Sequence, residues 1–497
     1  MSTNYLSILL FLPVTGAIIV ALVPRLSSRI IRYIAAVFTF IPLAIAIYLF
    51  AAFDRSASMA GVMQFEESFS WIPAIGADYH IGVDGLSLPL LLLTTLLGFL
   101  VVLISWKVEK KVRQYFFWLL LLETSILGVF CSLDLLLFFA FWEIEVIPMF
   151  FLISIWGSGR KEYSAIKYVL YTLFGSAFML AGILSLYFAT GSLNMVDISQ
   201  GGLAIAQSVM PAVPIFFLLL IGFAVKLPVF PLHTWLPDAH TDAPTAASVM
   251  LAGALIKMGG YGMIRVCVSI FPQTAQDYAP LLLTLAAISI VYGAAVTLRQ
   301  NDIKRLIAYS SISHMGFVLL GIFALGELSL TGAGLQMFSH GIVTGLLFAV
   351  TGIIIHNTGE RNIKQLGGLA HQIPLIAVIF IIGGAAAMGV PSTSGFIAEF
   401  TVFLGSFSST AVAGVHIFTF ICLLGILLAA AYILWLVQRV FFGPAISRFD
   451  AIADADNIEI LYCSIFVIIL FVVGIYPKIL FDVLQLGVAP IAAFFGG

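Results

Sequence analysis

Apolar runs of 18 or more residues recur from one end of this chain to the other, separated by short polar breaks. A bilayer core about 30 Å thick needs roughly 20 such residues per helix. The runs predict membrane spans near 4–23, 33–52, 87–106, 114–132, 135–156, 165–189, 212–232, 245–270, 279–298, 305–325, 331–355, 373–408, 414–441 and 459–481. The expected fold is therefore an all-α integral membrane protein of about fourteen transmembrane helices. The longest polar connection, 52–86, carries Asp54, Glu66, Glu67, Asp78 and Asp84, and no segment is long enough for a separate soluble domain. About sixteen residues follow the last run, too few for a long lateral helix.

Composition agrees. Hydrophobic residues make up 62% of the chain and charged ones 9%, against roughly 25% charged in an average soluble domain. The mean hydropathy is +1.14. A net charge of −2 suggests no nucleic acid and no strongly charged partner. Cys131, Cys267, Cys422 and Cys463 lie far apart without a CxxC, and read as small apolar residues. The eight histidines show no metal-ligand spacing, so neither a metal nor a cofactor site is expected in this chain. The apolar stretch Leu6–Val23 has no basic residue before it, which fits a retained first span rather than a cleaved signal peptide.

Basic residues orient the spans, because cytoplasmic connections collect Lys and Arg. Alternate connections hold Arg25, Arg29 and Arg32; Lys107, Lys110, Lys111 and Arg113; Arg160, Lys161 and Lys167; Arg299, Lys304 and Arg305; Arg361 and Lys364; Arg439 and Arg448. Those are 17 of the 22 Lys and Arg; the opposite face has Arg55, Arg265 and Lys478. The alternation holds for fourteen spans with both termini outside.

A charge at the bilayer centre costs about 2.5–3.5 kcal/mol on insertion scales, and those that persist usually face a polar interior. Here they are Glu123 in the fourth span, Glu143 and Glu145 in the fifth, Lys226 in the seventh, Lys257 in the eighth and Glu399 in the twelfth, with His314 and His340 in the tenth and eleventh. Carboxylate, amine and imidazole are groups whose protonation burial and neighbouring charge can move. A string of them across several helices is what a proton wire needs. For the histidines, a plain hydrogen bond between helices is the alternative use. Asp134, near the outer end of its span, reads as a helix cap.

Two spans are broken. The seventh reads FAVKLPVFPLHTWLPDAH, where Pro228 and Pro231 donate no backbone hydrogen bond and leave the carbonyls of Ala224 and Leu227 free on either side of Lys226. In the twelfth, AMGVPSTSGFIAEF, Gly389, Pro391 and Gly395 precede Glu399. Irregular backbone at such depth is tolerated where it lines protein or water, and interrupted segments at matching positions of two halves point to an inverted-repeat transporter. Spans 4–8 and 9–13 fit as five-helix halves. The expected organisation is 1–110 for the first three helices, 111–271 and 272–442 for the two repeats, and 443–497 for the last helix.

The runs LDLLLFFAFWEIEVIPMFFLISIWG, VKLPVFPLHTWLPDAHTDAPTAASVMLAGALIKMGGYGMIR, NDIKRLIAYSSISHMGF and VPSTSGFIAEF resemble those of the antiporter-like, proton-pumping subunits of respiratory complex I, NADH–quinone oxidoreductase, of the M type. The likeness extends from about Gly82 to Phe442. It implies a proton-translocating subunit within an enzyme whose electron donor, flavin, iron–sulfur clusters and quinone sit in other subunits, with neighbouring antiporter-like subunits of the L and N types as partners. The membrane would be a bacterial inner membrane or a thylakoid. The resemblance implies a buried ion pair between Glu143 and Lys226, a central Lys257, relay histidines His314 and His340, and an exit-side Glu399. Ser392 departs from the pattern, standing where glycine is common, and Glu145 is shared by some members only.

Beside a carboxylate a buried amine keeps its proton, and when the pair opens, desolvation favours release. The proton then passes from Lys226 toward Lys257, His314, His340 and Glu399. Glu143 and Glu145 stand two residues apart and point about 200° apart on a helix, so both cannot face Lys226. Glu143 is the expected partner. The rival readings are a subunit of an Mrp-type sodium/proton antiporter, the membrane subunit of an energy-converting hydrogenase, and a structural scaffold, against which the charges at mid-membrane argue.

Overall fold

The computed structural model describes residues 4–24, 26–56, 61–200 and 211–496; Arg25 of the first basic connection lies outside the described residues. The chain enters with α1 (Tyr5–Leu22) and α2 (Ser28–Ala51), then an antiparallel hairpin of β1 (Gln64–Ile72) and β2 (Ala77–Val83). After it come α3 (Ser87–Ile104), α4 (Val112–Cys131), α5 (Leu135–Trp156, interrupted at Glu145) and α6 (Lys161–Thr190). The seventh span is two pieces, α7 (Ala212–Lys226) and α8 (Trp235–Asp242), followed by α9 (Thr245–Val268). Next stand α10 (Pro272–Leu298), α11 (Ile303–Phe323) and α12 (Glu327–Thr358). The twelfth span is again split, into α13 (Pro374–Ala387) and α14 (Ser394–Ser408), and the chain closes with α15 (Val415–Phe441), α16 (Asn457–Ile475) and α17 (Lys478–Ala492).

Thirteen helices among the described residues are long and apolar enough to cross a membrane. One of these is α17, whose contacts place it differently. Gln485 Nε2 donates to Glu327 Oε1 at the start of α12 (2.6 Å), Arg55 pairs with Asp482 (3.5 Å), and Gly487 meets the backbone of Gly85 and Leu86. Every one of those partners lies at the face poor in Lys and Arg, so α17 lies across the outer ends of other helices. With the two split spans counted, fourteen crossings stand.

Three details depart from the sequence reading. The polar connection 52–86 folds as the hairpin, held to α1 by Glu67, which accepts from the N–H groups of Leu6 (2.9 Å) and Ser7 (3.2 Å). The last span stops at Ile475, and Tyr476–Pro477 separates it from α17. Ala224 is not left with a free carbonyl, because the chain folds back and Val229 N–H donates to it (3.0 Å).

Buried helices mark the interior. α9 is enclosed along its whole length, and α11 and α12 nearly so, whereas α1, α2, α15 and α16 turn Leu, Ile and Phe outward as a lipid-facing surface must. Asp134 caps α5 by accepting from Leu136 N–H (2.8 Å) and Leu137 N–H (3.0 Å), and pairs with Asn194 as a lone β-bridge on the outer face. Asp302 caps α11 at the other face (Arg305 N–H, 3.1 Å) and bridges Asn362 in the same way.

Candidate functional site

Lys226 is the last residue of α7, where Pro228 ends the helix. It is fully buried, and Trp235 Nε1 closes the turn around it by donating to the carbonyl of Val225 (2.9 Å). The partner of its ammonium is Glu145, not Glu143. Glu145 Oε2 also accepts from Tyr168 Oη (2.6 Å), and the rings of Trp142 and Tyr168 lie 5.2 and 5.7 Å from the Lys226 nitrogen. The physical reason is the stripe of α5 that faces the protein: Phe138, Phe141, Trp142, Glu145, Met149 and Leu152 are buried, while Ile144 and Ile147 face outward. Their spacing is that of one helix face, and it carries Glu145. Glu143 is half-buried, with one carboxylate oxygen enclosed and unpaired, and remains within electrostatic reach of Lys226.

Lys257 sits in α9 between two π-helical stretches, Leu251–Leu255 and Met263–Val268. Such stretches break the regular bonding ladder and recur at functional sites. One consequence is visible: the Lys257 ammonium donates to the carbonyl of Ala252. It also stands 2.7 Å from His340 Nδ1, which accepts from the amine whenever Lys257 carries its extra proton. The His340 and His314 rings are 5.6 Å apart, and His314 Nδ1 lies 3.1 Å from Glu399 Oε1. Tyr432 Oη is 3.4 Å from the other nitrogen of His314. His314, His340 and Glu399 border a small cavity with about 10 Å³ of room for water centres, roughly the least that one water requires. At Gly389 the backbone has φ +69°, and a Cβ there would stand 2.9 Å from Glu399 Oε2, so glycine leaves room for the carboxylate.

The six relay residues that the resemblance implied thus fall into two groups. Lys257, His340, His314 and Glu399 lie along one polar line, in which the His340 and His314 rings are neighbours and His340 Nε2 has no hydrogen-bond partner among the described residues. Lys226 forms a separate buried pair, with Glu143 beside it. Among the described residues no hydrogen bond joins the two groups; Phe223 and Leu227 stand between, pressed on Gly259. The groups share a pattern: each pair, Glu145 with Lys226 and His314 with Glu399, links the second helix of a run of five to its broken fourth.

Glu123 is buried against Gly98 with one oxygen unpaired, and joins neither group. Sequence reasoning did not single out Tyr168, Tyr432 or His240. His240 is fully buried, stacks on Phe348 (4.8 Å between centroids), and has neither ring nitrogen bonded. Toward the inner face, Lys167–Asp238 (2.7 Å), Arg361–Asp302 (2.9 Å) and Arg361–Asp242 (3.8 Å) tie α6, α8 and α11 to the connection after α12.

The family model described as NADH:quinone oxidoreductase/Mrp antiporter, transmembrane, matches residues 132–474. The chain belongs to this family. The match spans both polar groups, from Glu143 to Glu399. Over 98% of its length the chain is 39% identical to NAD(P)H-quinone oxidoreductase chain 4 1 of Synechococcus sp. (strain JA-2-3B'a(2-13)), of which 92% is covered. It is 38% identical to NADH-quinone oxidoreductase subunit M of Rhodobacter capsulatus, with 98% of this chain and 96% of that one aligned. Among solved structures, a chain of respiratory complex I from Thermus thermophilus superposes with a TM-score of 0.88 at 28% identity, covering 99% of this chain and 100% of the other.

Proposed function

We propose that this member of the NADH:quinone oxidoreductase/Mrp antiporter family is the M-type proton-translocating membrane subunit of a complex I-type NAD(P)H- or ferredoxin–quinone oxidoreductase. The observation that carries the reading is the buried line Lys257–His340–His314–Glu399, in a chain alike over nearly its full length to subunits of that enzyme. The reaction class is a translocase, with flavin, iron–sulfur clusters and quinone in other subunits. L- and N-type antiporter-like subunits would lie beside this one, in a bacterial inner or thylakoid membrane.

In this reading redox chemistry elsewhere in the complex opens the Lys226 pair. The freed amine, dehydrated and without its carboxylate, gives its proton toward Lys257. From there it passes through His340 and His314 to Glu399 and the outer side. Pumping one charge against 100 mV requires about 2.3 kcal/mol, less than the roughly 3–5 kcal/mol at stake in a buried ion pair, and the redox chemistry supplies both. The capped aspartates with their matching bridges on opposite faces, and the matching pairs between second and fourth helices, support two inverted halves over 111–271 and 272–442. Full-length identity to quinone oxidoreductase subunits favours this enzyme over a sodium/proton antiporter.

The test is donor-driven proton uptake by inverted membrane vesicles, normalised to assembled complex. Lys226→Ala is expected to assemble and to abolish coupled uptake. Near-normal translocation by the assembled variant overturns the role of the pair.

A further inference from the structure

The small cavity bordered by His314, His340 and Glu399 is also lined by Gln336, to which the relay assigns no part. Gln336 belongs to α12, one turn before His340 on the same helix face. It is buried, and its side-chain oxygen has no hydrogen-bond partner among the described residues. The hydroxyls around the cavity have their hydrogens engaged. Ser310 donates to the carbonyl of Ile307 (2.7 Å), Thr344 to that of His340 (2.6 Å) and Ser339 to Ser394 Oγ (2.9 Å). The Gln336 amide is therefore the lining group that still needs a partner.

Its height in the membrane follows from the packing of α12 on α14. Ser339 meets Ser394, a Cβ on Gly332 would press on Val402, and one on Gly405 would press on Ser329. The two helices thus run antiparallel, and the register sets Gln336 level with Ala398 and Glu399. His340 stands one turn inward of that level.

His340 carries the second orphan. When Lys257 is charged, His340 Nδ1 accepts from it (2.7 Å), so the neutral ring holds its hydrogen on Nε2. That Nε2 is enclosed and, like the Gln336 oxygen, unpaired. His314 offers it nothing directly, since its own nitrogens face Glu399 (3.1 Å) and Tyr432 (3.4 Å). Buried polar atoms without protein partners are where ordered water is held, and the cavity, with about 10 Å³ for water centres, has room for one.

We propose that this cavity binds a single water that carries the proton from His340 to the His314–Glu399 pair, with Gln336 as the positioning residue that holds it. The water accepts from His340 Nε2 and donates one hydrogen to Gln336 Oε1, which leaves its other hydrogen for the Glu399 carboxylate. In the step, the Lys257 ammonium gives a proton to His340 Nδ1 and the ring releases the one on Nε2 to the water. The water passes one of its own to Glu399 and is regenerated. Lys257 ends neutral and Glu399 protonated.

The proposal rests on the reading of Lys257, His340 and Glu399 as relay residues, and two measurements test it. A cryo-EM map of the assembled wild-type complex, sharp enough to show ordered water, carries a peak within hydrogen-bond distance of His340 Nε2, Gln336 and Glu399. The second measurement is donor-driven proton uptake in inverted vesicles, normalised to assembled complex. Gln336→Met keeps the volume and removes the oxygen, and lowers uptake about tenfold, as one buried polar group left unsatisfied would. Gln336→Ser makes room for a further water in place of the amide and keeps the larger part. A side chain needed only for packing predicts the reverse order, because methionine conserves volume and serine leaves a hole. A wild-type map without the peak, uptake in Gln336→Met equal to wild type, or a greater loss in Gln336→Ser than in Gln336→Met each overturns the proposal. Failure of the pumping role itself is read separately, as absent donor-driven uptake in the wild type.

Discussion

Replacing Glu145 by glutamine removes a charge and little else, since the two side chains have nearly the same volume. The consequences follow from burial. Glu145 and Lys226 are 0% and 1% exposed, so the ammonium that loses its carboxylate gains no water in exchange. At an effective dielectric of about 20 and a separation near 3 Å, one opposite unit charge contributes roughly 5 kcal/mol. Breaking a buried pair by deleting one partner costs about 3–5 kcal/mol in measured cases. At about 1.4 kcal/mol per decade, the ratio of charged to neutral amine at Lys226 falls by roughly two to nearly four orders of magnitude, which weakens its hold on the proton it is to deliver. Tyr168 offers no compensation, because its hydroxyl donates to Glu145 and supplies no charge. Donor-driven proton uptake in inverted vesicles, normalised to assembled complex, should fall below about a tenth of wild type in Glu145→Gln if the pair is what loads the amine. Glu143→Gln, which removes a half-buried carboxylate without a partner for its enclosed oxygen, should keep the larger part. A loss confined to Glu143→Gln, or equal in both, would refute the pairing as the working contact.

Glu399→Gln should block uptake while Glu399→Asp keeps part of it, because His314 at 3.1 Å needs a titratable neighbour to pass a proton on; glutamine activity equal to wild type would reduce Glu399 to a hydrogen-bonding role. Ser392 has φ +75°, a conformation a non-glycine residue adopts at a cost on the order of 1 kcal/mol or more. Ser392→Gly should therefore raise the melting temperature of the detergent-solubilised complex by a degree or more, and a fall would mean that the serine side chain holds this turn.

Much of the architecture was legible because lipid imposes it. Runs of apolar residues, alternating basic connections and two proline–glycine interruptions were enough for fourteen crossings and two broken spans. The charges Lys226, Lys257 and Glu399, with His314 and His340, were legible because nothing apolar explains them at that depth. What hydropathy does not reveal is rotation. Along Phe138–Leu152 both the inward and outward faces of α5 are apolar, since lipid tails resemble a protein core as surroundings. Ile144 and Ile147 therefore look no different in sequence from Val146 and Met149, and only packing tells that Glu145 faces inward. The signal available was the stripe Phe138, Phe141, Trp142, Glu145, Met149, with Trp and Glu on one face, and the family pattern drew attention to Glu143 instead. The hairpin 64–83 and α17 were missed for another reason. They lie at the outer face, where neither the apolar-run length nor the charge rule discriminates.

The two polar groups stand close in the fold without touching, and their separation has a physical function in this reading. A proton path without a break would equilibrate the two faces, and no redox event could then drive transfer in one direction. Here the break is made by backbone: a Cβ on Gly259 would lie 2.6 Å from both Leu227 N and Phe223 O, so α9 and the broken end of α7 are pressed together with no space for a side chain between them. Such tight packing has few intermediate arrangements, because close-packed interiors are bistable rather than continuously deformable. Lys226 ends α7, and the residues after it are a turn rather than a helix. Its amine can swing without unwinding a regular ladder. The Ala252 carbonyl, bonded to Lys257 inside the first π-helical stretch, gives the receiving amine a partner that does not depend on His340. A broken α7 and a π-bulged α9, packed together along Gly259 and Gly262, are in this reading the parts of a switched proton step.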